Sequence, residues 1–274
     1  MRDPIDYNTE IPKLRDYLNE LAELSINILR HSRYEEYNHL IFMTSTFLCK
    51  QLSHARSVLL LVDSEQYKDA LSIARVMIEG YALLLWASEL PTERPLSWRG
   101  YVLIDQFKHS FGQPGYSDHQ ADLETMLNRY CRKFLKEDYK NKLQRNIRPD
   151  NYLNNWRRDN EKDKNKFITI TIEKIFYDVG LRELHDNLYD SASGWLHWDS
   201  FSIAETIKRK ADGSIICGYN PKNLGAAALA SAIQALLGSA SLLDKHLQLG
   251  FSDRLADFYK RIAEETKINA HHPR

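Results

Sequence analysis

The sequence predicts an all-α fold, a single multi-helix bundle with a long, buried, Ala-rich helix near its C-terminal end and at most one small β-hairpin. Apolar residues recur at helical spacing along most of the chain. Residues 66–90 are apolar on nearly every side, and 225–243 carry no charge at all; helices of that kind lie inside a domain. The clearest strand signal is Asp212-Gly213, a hairpin-type turn between Glu205–Arg209 and Ser214–Cys217.

In chain order, Ile11, Leu14, Leu18, Leu21 and Ile28 mark a first helix over 9–30, with Pro12 in its first turn where a missing N–H costs nothing. A second helix runs over 34–62. Asp63 with Gln66 has the spacing of a capping box for the third, over 66–90. Pro91 and Pro95 end that helix, and a short fourth follows over 98–108. Ser117 and Gln120 repeat the capping-box spacing and open a fifth through Phe134. Residues 140–166 hold nine Lys or Arg against four Asp or Glu and few apolar side chains, which marks a polar, basic insertion. Residues 168–177 fit a helix, although Ile-Thr-Ile-Thr-Ile also alternates like a strand. Helices over 181–198, from Pro221 to Gly250, and from Ser252 or Asp253 to about 266 complete the pattern.

The whole chain, 1–274, reads as one domain with its core over about 10–264. Its 37 basic and 37 acidic residues cancel, so no global attraction to nucleic acid or an anionic membrane is expected. Cys49, Cys131 and Cys217 are isolated and odd in number, the usage of reduced thiols in a cytoplasmic protein. Met1 to Glu10 is too polar for a signal peptide, and the uncharged 225–243 stretch reads as a core helix and not a membrane span. No P-loop, dinucleotide fingerprint, nucleophile elbow or zinc-binding spacing is present, so the sequence signals neither cofactor nor metal.

Candidate site residues are polar groups set in apolar helices. If the second and third helices form an antiparallel hairpin turning near residue 64, His54 and Arg75 stand at similar height above the turn. Glu79 follows Arg75 by one turn on the same face. A buried arginine and glutamate must find partners, and at least one is expected to bond to another helix, with His54 or the Ser193–His197 face receiving it. Ser193 and His197 are themselves one turn apart, flanked by Trp195 and Trp198. The set of His54, Arg75, Glu79, Ser193 and His197 serves either as a structural core or as an anion clamp with a proton carrier. In the basic segment, Arg145, Arg148, Trp156, Arg157 and Arg158 are candidates for phosphate contacts and base stacking.

The stretches "LSIARVMIE", with Arg75 and Glu79, and "LYDSASGWLH", with Tyr189, Ser193 and His197, resemble a bacterial all-helical family described only as a domain of unknown function. That resemblance covers about residues 40–245 and implies an all-helical fold with Arg75, Glu79, Ser193 and His197 as signature positions. Arg33 and His39 have the spacing found in HEPN-type helical domains, many of which are metal-independent ribonucleases of toxin–antitoxin or phage-defence systems. This looser likeness implies an alternative catalytic pair, Arg33 and His39. Two functions are therefore expected: a non-catalytic helical interaction or ligand-binding module of bacterial, phage-defence type, or a metal-independent HEPN-like ribonuclease or toxin. A protein partner or self-association fits the first and RNA the second; neither needs a membrane.

Overall fold

The computed structural model describes residues 5–33, 38–110, 117–130, 170–189, 192, 204, 207–217 and 221–266. Helices supply nearly all of the regular structure: α1 (Tyr7–His31), α2 (His39–Asp63), α3 (Tyr67–Glu89), α4 (Glu93–Ser110), α5 (Ser117–Tyr130), α6 (Ile172–Asp178), α7 (Arg182–Leu184), α8 (Lys222–Leu247) and α9 (Ser252–Glu265). A π-helical turn, His185–Tyr189, continues α7. One antiparallel hairpin pairs β1 (Ile207–Arg209) with β2 (Ile215–Cys217), inside the span where the turn signal placed it. The chain divides into two compact units: Met1–Tyr34 with Thr44–Leu84 and Phe176–Arg274, and Glu35–Met43 with Leu85–Ile175.

The first unit is built around α8. Every residue from Ser231 to Ala240 is buried, as its uncharged sequence demands. Two glycines bring α8 against α3. A Cβ on Gly225 would lie 2.5 Å from the Tyr67 ring, and one on Gly238 would lie 2.2 Å from the Tyr81 ring. Because Tyr67 precedes Tyr81 as Gly225 precedes Gly238, α3 and α8 run parallel. Helix α1 also packs along α8, with Lys222 donating to Asn8 at 2.6 Å near their N-terminal ends. Helix α2 runs antiparallel to α3, with Gln51 Nε2 donating to the Met77 carbonyl at 2.7 Å. Helix α9 returns antiparallel along α1, where Tyr17 donates to Glu265 at 2.6 Å and meets Phe258 edge-on. The turn into α9 is set by buried Asp244, whose carboxylate accepts from Phe251 N at 2.9 Å and Ser252 Oγ at 2.6 Å.

In the second unit α4 packs on α5. Buried Arg99 lies 3.2 Å from His39 Nδ1 and over the Phe42 ring, and Phe42 in turn packs on Trp98. Arg94 covers the Trp86 ring and bonds to the Trp86 carbonyl and to Glu89.

Several boundaries differ from the sequence expectation, each for a local reason. Helix α1 starts before Pro12, because Asp6 caps it through Asn8 N at 3.1 Å and Thr9 Oγ1 at 2.7 Å. Pro12 then lies inside the helix and leaves the Asn8 carbonyl without its helical N–H. Asp63 does not cap α3; it ends α2 and pairs with Arg15 at 3.2 Å. Glu65, in the left-handed conformation at φ 56°, closes α2 as Gln66 N donates to the Leu61 carbonyl. Pro95 does not end α3 but sits in the first turn of α4, where proline is tolerated. Residues 172–178 are helical because Thr171 Oγ1 receives Lys174 N, a cap that the alternating Ile-Thr pattern conceals. The helix expected over 181–198 widens to a π-turn at 185–189. The basic insertion at 140–166 lies outside the described residues.

The α3–α8 contact generates a test. Gly238→Ala forces a methyl into a fully buried tyrosine ring that has no room to move, and is expected to cost about 1–3 kcal/mol or more. Tyr81→Ala, which empties the ring's place, should make the added methyl much cheaper. Paired thermal melts in a double-mutant cycle read the coupling; additive losses would show that the two residues do not meet.

Candidate functional site

Arg75 and Glu79 stand one turn apart on α3, beside Ala74 and Ile78, which are fully buried. Their side chains keep 12% and 28% of their exposure. They approach each other directly only at 3.8 Å, in the Arg-before-Glu order that is weaker along a helix. The short contacts run through Tyr189. Arg75 Nη2 donates to the Tyr189 hydroxyl at 2.6 Å, and that hydroxyl donates to Glu79 Oε2 at 3.1 Å. The guanidinium also covers the Tyr189 ring, 4.2 Å from its centroid. Arg75 thus bonds to another segment, as a charge in an apolar helix must, and the segment is 185–189.

The π-turn prepares Tyr189 for this role. A π-turn is wider than an α-turn, and here His185 and Tyr189 stack with centroids 5.2 Å apart and planes 19° off parallel. Phe176 packs on both rings. Buried His185 is oriented by Asp186, its Nδ1 lying 3.1 Å from Oδ1. The Asp186 carboxylate also accepts from Tyr177 OH at 3.0 Å and Arg182 Nε at 3.4 Å. Hydrogen bonds from His185 and then Tyr177 hold the Asp186 carboxyl below the usual carboxylate range. Burial, and then the Glu79 charge, push the Tyr189 phenol up, against a partial offset from Arg75. At neutral pH the bridge is therefore a protonated phenol set between Arg75 and Glu79.

Across the hairpin from α3, α2 also carries buried polar atoms without a partner among the described residues. Gln51 reaches α3 where Gly80 leaves room; a Cβ there would lie 3.1 Å from Gln51 Nε2. Gln51 is level with residues 77–80, so His54, one turn nearer the interhelical turn, is level with Arg75. Gln51 Oε1, His54 Nε2 and Arg75 Nε are each buried with no hydrogen-bond partner among the described residues. Burial, and then Lys50, hold the His54 imidazole below its ordinary value, so it is neutral at pH 7.

The structure thus brings Arg75 and Glu79 together, with His54 level across the helical hairpin. The expected partners for Arg75 were His54 and the Ser193–His197 face; the partner found is Tyr189. Ser193 and His197 lie outside the described residues, as do Arg145, Arg148, Trp156, Arg157 and Arg158. Arg33 is exposed beyond the end of α1, and His39 is half-buried against Arg99. Sequence reasoning missed Gln51, His185 and the bridging role of Tyr189. Tyr189 stood only as part of the LYDSASGWLH stretch, and no periodicity announces a π-turn. No group of three or more metal-ligating side chains occurs among the described residues.

Residues 41–215, more than half of the chain, match a family of unknown function (DUF5677), and the chain belongs to that family. No curated protein and no solved structure matches it.

Three histidines give the protein a predicted acid sensitivity. Burial lowers His39, His54 and His246 from an ordinary value of 6.5, so the unfolded chain binds more protons than the folded one below that pH. Their contribution to stability is complete above pH 6.5 and is lost as pH falls through the folded values. Protonation would also leave the buried Nε2–H groups of His54 and His246 unmet. Thermal melts should show the midpoint falling as pH drops below 6.5, and His54→Gln should flatten the slope. A midpoint independent of pH over that range would contradict the burial of these rings.

Proposed function

We propose that this protein is a non-catalytic helical binding module, of the bacterial phage-defence type and working in the cytoplasm, whose site lies at the α2–α3 face beside the Arg75–Tyr189–Glu79 bridge. One observation carries the reading: Arg75 Nε, His54 Nε2 and Gln51 Oε1 are buried with no partner among the described residues, on facing stretches of the α2–α3 hairpin that the Gln51–Met77 bond sets level. Unmet buried polar atoms are costly, about 1–3 kcal/mol each, and a bound group that satisfies them recovers that cost. The matching group both accepts, from Arg75 Nε–H, and donates, to Gln51 Oε1. A carboxamide or a protonated carboxyl has that pattern, whether free or on a partner protein's side chain. The bridge itself suits holding more than reacting. Its phenol keeps its proton at neutral pH, and Arg75 and Glu79 are engaged with each other through it.

A second reading, a metal-independent ribonuclease similar to HEPN-type domains, is favoured by one observation, the 3.2 Å approach of Arg99 to His39. In metal-free RNA cleavage a histidine moves a proton while an arginine stabilises charge on the phosphate. Cleavage of RNA in EDTA that disappears with His39→Ala would establish this reading and sink the first. Uncleaved RNA would remove it.

The binding reading makes its own prediction. Tyr189→Phe keeps the ring but cuts the bridge, and should cost about 1–3 kcal/mol in thermal or denaturant unfolding. Arg75→Met with Glu79→Leu should cost less than Arg75→Ala, because it strands no charge. Millimolar acetamide at neutral pH should raise the melting temperature of the wild type and leave the Arg75→Met/Glu79→Leu variant unmoved. A wild type that acetamide does not shift, or a variant that responds equally, would sink the α2–α3 site.

A further inference from the structure

The β1–β2 hairpin is a two-stranded ribbon that no other strand joins among the described residues. Cross-strand partners share a face, so the register Ile207↔Cys217 and Arg209↔Ile215 sets Ile207, Arg209 and Ile215 on one side of it. Ile207 and Ile215 keep 51% and 63% of their surface in solvent. Lys210 N donates to the Ser214 carbonyl at 2.8 Å, and hydrogen-bonded pairs alternate along an antiparallel ladder. Ile207 and Arg209 therefore turn their own N–H and C=O groups outward from β1, where they meet no backbone partner among the described residues. Lys208, Arg209 and Lys210 are consecutive, and Arg209 and Lys210 are exposed, with no ion-pair partner among the described residues. The nearby acid, Asp212, is taken up by the turn, accepting from Ser214 N at 2.9 Å and Ser214 Oγ at 2.6 Å.

An open strand edge, two uncovered β-branched side chains and a local positive charge together call for an occupant. We propose that the outer edge of β1 is a docking site for an extended segment of a different protein, rich in β-branched and acidic residues, that adds to the ribbon as a third strand. Backbone pairing satisfies the outward groups of Ile207 and Arg209, apolar side chains cover Ile207 and Ile215, and carboxylates meet Arg209 and Lys210. A second copy of this chain fits worse, since edge pairing of two hairpins would oppose three positive charges to three. Nucleic acid would meet the charges, but residues 207–217 include no aromatic ring for bases to stack on, and it would leave the strand edge unpaired. A bilayer would cover the isoleucines but offers the outward N–H and C=O groups nothing to bond to.

The test uses the full chain and a fluorescent peptide of alternating valine and glutamate, read by anisotropy. The peptide should bind, and hydrogen exchange at the Ile207 and Arg209 amides should slow when it does. Backbone N-methylation of the peptide on its pairing side should weaken binding by about tenfold or more, as should Ile207→Ser with Ile215→Ser. The N-methylated peptide leaves the protein untouched, so that arm stands even where the double variant folds poorly. No binding at millimolar peptide overturns the proposal. So does binding that N-methylation leaves unchanged, which would mean charge attraction alone. Tighter retention of an RNA oligonucleotide, or of phosphatidylserine vesicles, through Arg209 and Lys210 also overturns it and assigns the ribbon to that partner.

Discussion

Two tyrosine rings seated on two glycines set the terms for the first unit. Tyr67 and Tyr81 of α3 occupy the places that side chains at Gly225 and Gly238 of α8 would fill, so the two helices lie in close contact over that length. With α8 on one side and α2 on another, α3 has little solvent left. That confinement makes Arg75 and Glu79 consequential. On a surface helix they would be a weak pair a turn apart; inside, each requires a second contact, and one phenol from a neighbouring segment supplies both. The site is a product of the packing, and the packing rests on the absence of two Cβ atoms.

The fold was largely legible in the sequence because helix burial writes itself into composition. An uncharged run such as 225–243 has one economical place in a helical protein, and the central turns of α8 are all buried. The hairpin was legible for a different reason, since Asp212-Gly213 supplies both a side-chain acceptor and a residue that adopts φ 84° freely. Helix ends were read less well. Asp6 and Thr171 cap through single side-chain contacts, and the α2 stop depends on Glu65 adopting a left-handed conformation that no glycine announces.

The site was half legible. The height of His54 against Arg75 followed from helix rise alone, and the Gln51–Met77 bond bears out that register. The identity of the bridging residue did not follow, because it depends on a π-turn. Expected as a plain helix, the 181–198 segment offered Ser193 and His197 as its inward face. The wider turn stacks His185 on Tyr189 and delivers the tyrosine to α3. A departure of one residue from regular winding decides which side chain answers a buried charge, and such departures leave no periodic trace.

Asp244 has an effect that reaches past the corner it holds. Its carboxylate, in the last turn of α8, receives the first groups of α9, so the position of α9 is inherited from a helix whose central turns are wholly buried. Helix α9 then zips along α1 through Tyr17 with Glu265 and Arg261 with Glu20. The earliest and latest helices described are thereby joined in one seam, and the first unit closes on itself like a ring whose clasp is polar. Strain entering at α1 reaches α8 across their own packed face and, by way of α9, through the Asp244 carboxylate. Loosening of either outer helix should then be a single cooperative event and not two independent frayings.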